Sequence, residues 1–239
     1  MSEQVYYFKS IGDVVFVKNN RAKSLRITVR PNKGVKVTVP KHVSLTNAFR
    51  FVEEKSGWIK KSLEKVRAVE KNSTLFKPGF EFSTRYHKLE FIFQPDCQLT
   101  ARVGNGLIRI FYSTEDKLLG TTGQDFIRKA VDYALRKEAK MFLPQRVEYL
   151  ADKFGFKYSG LRIKNLKSRW GSCSVTNNIN LNIHLMRLPD YLIDYVILHE
   201  LTHTVHKNHG KQFWQTLDTV SGNARLFAKE MKGYRTQVY

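Results

Sequence analysis

Four of the chain's seven histidines and one glutamate fall within the thirteen residues Leu198–Gly210, in the order His199, Glu200, His203, His206, His209. On an α-helix His199 and His203 lie one turn apart on the same face, about 6 Å between side-chain roots, so both imidazoles reach one cation. Glu200 is offset from His199 by about 100° around the axis. That offset keeps its carboxylate beside the cation without binding it, where it takes a proton from water activated by the metal.

A catalytic zinc takes a third protein ligand, and His206 and His209 are the candidates. On a continued helix His206 lies about 10.5 Å along the axis from His199, too far for three rings to share one ion. Asn208 and Gly210 are helix-ending types, so the chain can turn at Lys207-Asn208 and bring His209 back over the site. His209 is the favoured ligand and His206 the alternative. The preceding Tyr191, Leu192, Tyr195, Val196, Ile197 and Leu198 mark the helix as buried. Buried His and Glu require partners, which a metal supplies.

The elements that must position this stretch are set by the rest of the chain. Its 239 residues, 42% hydrophobic, suffice for a core and for one large or two small domains. No apolar segment follows the first residues and no run approaches the roughly 18 needed for a membrane span, so neither secretion nor a membrane partner is expected. Cys97 and Cys173 are far apart and form no metal or disulfide pattern, which fits a reducing cytoplasm. A net charge of +20, spread over both halves, favours attraction to nucleic acid or another polyanion as a further partner.

Alternation in Leu25–Arg30 and Val35–Pro40, around Asn32-Lys33-Gly34, predicts a β-hairpin with Leu25, Ile27, Val29, Val35, Val37 and Val39 on one face. Arg26, Arg30 and Lys36 take the other, as a solvated face. Ser44 caps a predicted helix from Leu45 to Val69, with Trp58 among its apolar positions and Gly57 as its weak point. Short strands follow at Phe80–Phe82, Leu89–Phe93 and Leu107–Tyr112. A long helix is expected over Gln124–Lys153, kinked at Pro144 and ended by Gly155. The Ser, Thr, Gly and Asp of Ser113–Gly123 mark the boundary between a β-rich region, 1–120, and a catalytic region, 121–239, or a loop between halves with one core.

Residues 153–189 hold no acid but carry Lys153, Lys157, Arg162, Lys164, Lys167, Arg169 and Arg187. Leu161–Lys164 alternates, so its cations share a strand face suited to acidic substrates or a phosphate backbone. Ser168–Ser174 and Ile179–Leu185, joined through Asn177-Asn178, read as a hairpin. Ile179, Leu181, Ile183 and Leu185 then enter the core, while Asn180, Asn182 and an exposed His184 face an extended peptide at a sheet edge. Cys173 reads as a small buried residue, not a nucleophile.

These residues carry a resemblance. Arg21-x-x-Ser24-x-Arg26 with Gly34 and Pro40, Leu143-Pro144-x-Arg146, Ser168-Arg169-Trp170-Gly171-Ser172-Cys173-Ser174, Ile179-x-Leu181-Asn182, His199-Glu200-Leu201-x-His203 and Asn208-His209-Gly210-x-x-Phe213-Trp214 together resemble the YgjP-like metallopeptidase family over most of the chain. The resemblance implies an α+β fold with a zincin-like catalytic half, its HExxH helix packed on a small β-sheet with further helices, after a β-rich N-terminal half containing one helix. It implies His199, His203 and His209 as zinc ligands, Glu200 as base and a protein or peptide as substrate. More distantly the chain resembles the SprT and Spartan proteases, which act on proteins crosslinked to DNA. The expected reaction is hydrolysis of a peptide bond by metal-activated water. The alternatives are a nucleic-acid-associated protein with a structural zinc site and a DNA-linked protease. Arg169, His206 and Tyr234 are unranked candidates for stabilising an oxyanion.

Overall fold

A computed structural model describes residues 3–30, 34–71 and 74–236 of the chain. It is an α+β protein, as expected, whose contacts divide it into two compact units, one up to Thr74 and one from Leu75.

The first unit is a four-stranded sheet under two helices. Its strands are β1 (Glu3–Phe8), β2 (Gly12–Asn19), β3 (Arg26–Arg30) and β4 (Gly34–Pro40), in the order β1-β2-β4-β3. β3 and β4 pair antiparallel, with Val29 opposite Val35 and Ile27 opposite Val37. Asn32 and Lys33 of the expected turn lie outside the described residues. β4 also pairs in parallel with β2, a strand whose Val14 and Phe16 are buried with Val35, Val37 and Val39. Lys36 lies on the exposed face, as expected, where its ammonium meets Glu3 of β1 at 2.9 Å.

The one helix expected after Ser44 is two, α1 (Leu45–Glu54) and α2 (Ser56–Lys71). Ser44 Oγ caps α1 by accepting the Asn47 N–H at 3.2 Å. The break falls at Lys55 and not at Gly57, and Ile59 N still bonds Lys55 O across it at 2.9 Å. Ala48, Val52 and Ile59 thereby all enter the sheet's core, while Trp58 is left 53% exposed.

The second unit opens on a sheet of β5 (Lys88–Phe93), β6 (Thr100–Gly104) and β7 (Leu107–Tyr112), in the order β5-β7-β6. Phe80–Phe82 is not a strand. Its rings instead pack edge-on against Phe76, at 5.8 and 5.4 Å. A short α3 (Glu115–Leu119) leads into α4 (Thr121–Phe154), which runs unbroken through Pro144 and ends at Gly155 in the left-handed conformation, φ 72°. Leu89, Ile108 and Ile110 bury against Ile127, Val131 and the same core that holds Leu192, Ile193 and Leu201. The division of the chain therefore falls at 74/75, and Ser113–Gly123 is a connection within one core.

Beyond α4 come β8 (Gly160–Lys164), β9 (Gly171–Cys173) and β10 (Asn178–Asn182), a 3₁₀ turn over Ile183–Arg187, α5 (Asp190–Val205), α6 (Lys211–Ser221) and α7 (Ala224–Glu230). β9 and β10 form the expected hairpin, and β10 is central, parallel to β8. The expected peptide-facing edge of Asn180, Asn182 and His184 does not exist, because β10 is paired on both sides and ends at Asn182. Asn182, fully buried, donates to the carbonyls of Leu166 and Arg169 at 2.7 and 2.9 Å and accepts the His184 N–H at 3.2 Å. His184 consequently turns inward and is 2% exposed.

Candidate metal centre

α5 is buried on nearly every side, with Leu192, Ile193, Val196, Ile197 and Leu201 in the core. Two ion pairs fix its first turns: Asp190 with Arg85, and Asp194 with Arg146 of α4, the latter a two-pronged contact at 2.6 and 2.5 Å. A planar guanidinium bonding both oxygens of one carboxylate sets orientation as well as distance. The helix ends at Val205, and the chain turns at His206, φ −116° and ψ 103°, a residue or two before Lys207-Asn208.

That turn brings three imidazoles together. His209 Nε2 lies 3.1 Å from His199 Nε2 and 3.2 Å from His203 Nε2, and the ligand atoms of all three fall within 4.8 Å of one another. Phe213 of α6, 1% exposed, forms the apolar floor, its ring 4.6 to 5.0 Å from each imidazole. His203 Nδ1 lies 3.0 Å from the His206 carbonyl, which only accepts. The ring therefore carries its proton at Nδ1 and, when neutral, presents a lone pair at Nε2.

His206 stands apart, its Nε2 bonded to Thr216 Oγ1 at 3.0 Å, so it ties the α5–α6 link to α6. Lys207 ties the same link to the β9–β10 turn through Asn177 and the Ser174 carbonyl. Burial first, and then the neighbouring imidazoles, push His199 down to about 3. His203 is lowered too, chiefly by burial. His199 and His203 are thus suited to binding a cation as neutral rings.

Glu200 is 6% exposed, and burial raises its carboxyl to about 8 against a lowering by Arg169. Arg169 itself is exposed, in the loop before β9. Gly171 packs directly on the carboxylate, since a Cβ there would stand 2.6 Å from Glu200 Oε1. Cys173, half-buried, has a thiol pushed up mainly by burial, which disfavours the reactive thiolate. Of the basic run, Arg162 and Lys164 share the exposed face of β8, whereas burial lowers the Arg187 guanidinium, which donates to His184 Nδ1 at 3.3 Å. Tyr234 sits near Tyr191, and its N–H bonds the Met231 carbonyl at 3.2 Å.

Arg146, Gly171, Phe213 and Thr216 have structural duties here that spacing did not reveal. For Arg146 the spacing held no signal, because α4 carries charges of both signs along its whole length.

Three converging imidazoles on a helix and its following turn, with a buried carboxylate one residue along, form a group that could hold one metal ion. The chain belongs to the YgjP-like metallopeptidase family, whose metallopeptidase domain matches residues 23–234. No curated protein matches it. Among solved structures it is similar to the metallopeptidase zymogen abylysin of Pyrococcus abyssi, at 23% identity and a TM-score of 0.34, over 38% of this chain and 94% of that one. It is also similar to the zymogen jannalysin of Methanocaldococcus jannaschii, at 26% identity and a TM-score of 0.33, over 37% of this chain and 88% of that one. No helix among the described residues is long and apolar enough to cross a membrane.

Proposed function

We propose that the chain is a zinc-dependent peptidase in which His199, His203 and His209 hold the ion and Glu200 is the general base. The observation that carries this reading is the convergence of the three Nε2 atoms. A tetrahedral zinc with bonds near 2.1 Å separates its nitrogen ligands by about 3.4 Å, close to the 3.1 and 3.2 Å found. An all-imidazole set suits zinc over harder cations such as magnesium or calcium.

When bound, zinc supplies Lewis acidity that activates water and polarises a carbonyl, and a positive charge that offsets the burial penalty on Glu200. Glu200 takes a proton from the attacking water and returns it to the leaving amine. Gly171 leaves room for that carboxylate at the edge of β9. The His206 carbonyl holds the His203 ring in one tautomer, and Phe213 excludes water from beneath the three rings.

Metal analysis of the purified chain, with a peptide or casein cleavage assay on wild type and Glu200→Gln, tests the reading. Zinc near one per chain, cleavage by the wild type and retained zinc without cleavage in the variant are expected. Full activity in Glu200→Gln would sink the base assignment.

The net charge of +20 and the shared exposed face of Arg162 and Lys164 favour a second reading, a protease acting on protein bound to nucleic acid. Cleavage that rises with added single-stranded DNA would support it. A nucleic-acid-associated protein with a purely structural zinc predicts instead that chelation unfolds the chain and that no cleavage appears.

A further inference from the structure

An open cleft of about 500 Å³ borders the three imidazoles, lined by His209 and by Lys211, Trp214, Gln215, Asp218 and Arg225. Its far wall is a stack. The Arg225 guanidinium lies over the Trp214 ring, 3.7 Å from the centroid, and the Trp214 ring is in turn 6.3 Å from the His209 ring. Among the described residues the Arg225 guanidinium has no hydrogen bond and no ion pair. This distinguishes it from Arg85 and Arg146, each of which is committed to a carboxylate of this protein. The indole holds the guanidinium in a fixed orientation while its N–H edge stays free, a disposition that matches a planar carboxylate.

The other charges of the cleft are consistent with that match. Asp218 is the one anion of the lining, and its Oδ1 already accepts the Ala224 N–H at 2.9 Å, at the start of α7. Lys211 adds a cation, and α6 opens at Gly210 with no side-chain cap, which contributes potential of the same sign.

We propose that this cleft is a subsite for a carboxylate of the peptide substrate, with Arg225 as the recognising group and Trp214 as its support. The proposal rests on the reading of the chain as a peptidase. An extended peptide advances about 3.4 Å per residue, so a chain with its scissile bond at the imidazoles brings a group one to three residues away to Arg225. That group is either an acidic side chain or the C-terminal carboxylate.

Binding of labelled peptides by fluorescence anisotropy separates these sources. Three peptides of one sequence are compared on the zinc-loaded full-length Glu200→Gln chain: one with a Glu side chain and an amidated end, one with Gln and a free carboxylate, and one with Gln and an amidated end. One carboxylate-bearing peptide should bind about tenfold tighter than the neutral one, and Arg225→Met, whose stem still covers Trp214, should bring the two level. Equal binding of all three peptides, or a preference unchanged in Arg225→Met, would overturn the proposal. If Arg225→Met does not fold, Arg225→Lys decides: partial loss of the preference supports the guanidinium, and full retention overturns it. Because binding is read without turnover, failure of the peptidase reading would appear separately, as zinc-loaded wild type that cleaves nothing.

Discussion

Gly171 and Glu200 are in direct contact across 29 positions of sequence: the glycine has no side chain because the glutamate's carboxylate occupies that place, and a Cβ would come within 2.6 to 2.9 Å of three of its atoms. Such distances leave no small adjustment, since Glu200 is itself buried. Gly171→Ala should therefore displace the carboxylate, lowering kcat by at least tenfold while zinc content stays near one per chain. Unchanged kcat would mean the two residues are not coupled. Gly171 has no positive φ to explain it, so close approach is its reason.

His209 and His206 differ in what they bind. His209→Ala removes one of three converging nitrogens and should leave the purified chain largely without zinc under mild chelation. His206→Ala loses only the contact to Thr216, together with whatever rigidity that contact lends, and should retain the metal. Equilibrium dialysis against a competing chelator reads both. Equal loss in the two variants would contradict the assignment.

The Arg146–Asp194 pair fixes the helix that carries His199 and His203. Both side chains are partly exposed, so the pair contributes the modest amount typical of a charge-assisted bond, roughly 1–3 kcal/mol. Arg146→Met should lower the melting temperature by several degrees, on the order of 2–4 °C per kcal/mol for a chain of this size. A wild-type melting curve would show the pair to be dispensable.

His184 makes stability depend on pH. Burial, with Arg187 beside it, pushes the ring from 6.5 down to about 3, so the folded chain keeps it neutral where the unfolded chain protonates it. Its contribution is fully present above pH 6.5 and is lost as pH falls towards 3. By pH 5 the loss amounts to about 2 kcal/mol. Urea unfolding at pH 7.5 and pH 5 should show this slope in the wild type and a smaller one in His184→Gln. An identical slope in both would place the ring's titration elsewhere.

Local pattern was enough to read the α5 helix, the long α4, the β9–β10 hairpin and the core-facing Ile179, Leu181, Ile183 and Leu185. Each has a period that its own sequence carries. What escaped depends on partners remote in sequence. β2 is not legible in the sequence because Val14, Val15, Phe16 and Val17 form a continuous apolar run, which lacks the alternation of a one-sided strand. His184 departs from the strand period because the strand ends at Asn182, whose side chain caps the following 3₁₀ turn. The spacing is enough to put His199 beside His203 and to favour His209 over His206 as their neighbour, but the floor of Phe213 and the gap at Gly171 are not legible there, since both arise only when α5 meets α6 and β9.

The link from His206 to Gly210 has one further consequence. It is fastened on one side to Thr216 and on the other to Asn177, by contacts that involve none of the three converging rings. His209 is thus preorganised beside His199 and His203, and on the proposed reading the ordering cost of the ion's site is met during folding. Uptake and release should then behave as a simple bimolecular exchange, with the metal-free chain keeping its circular dichroism spectrum and refilling without a refolding lag.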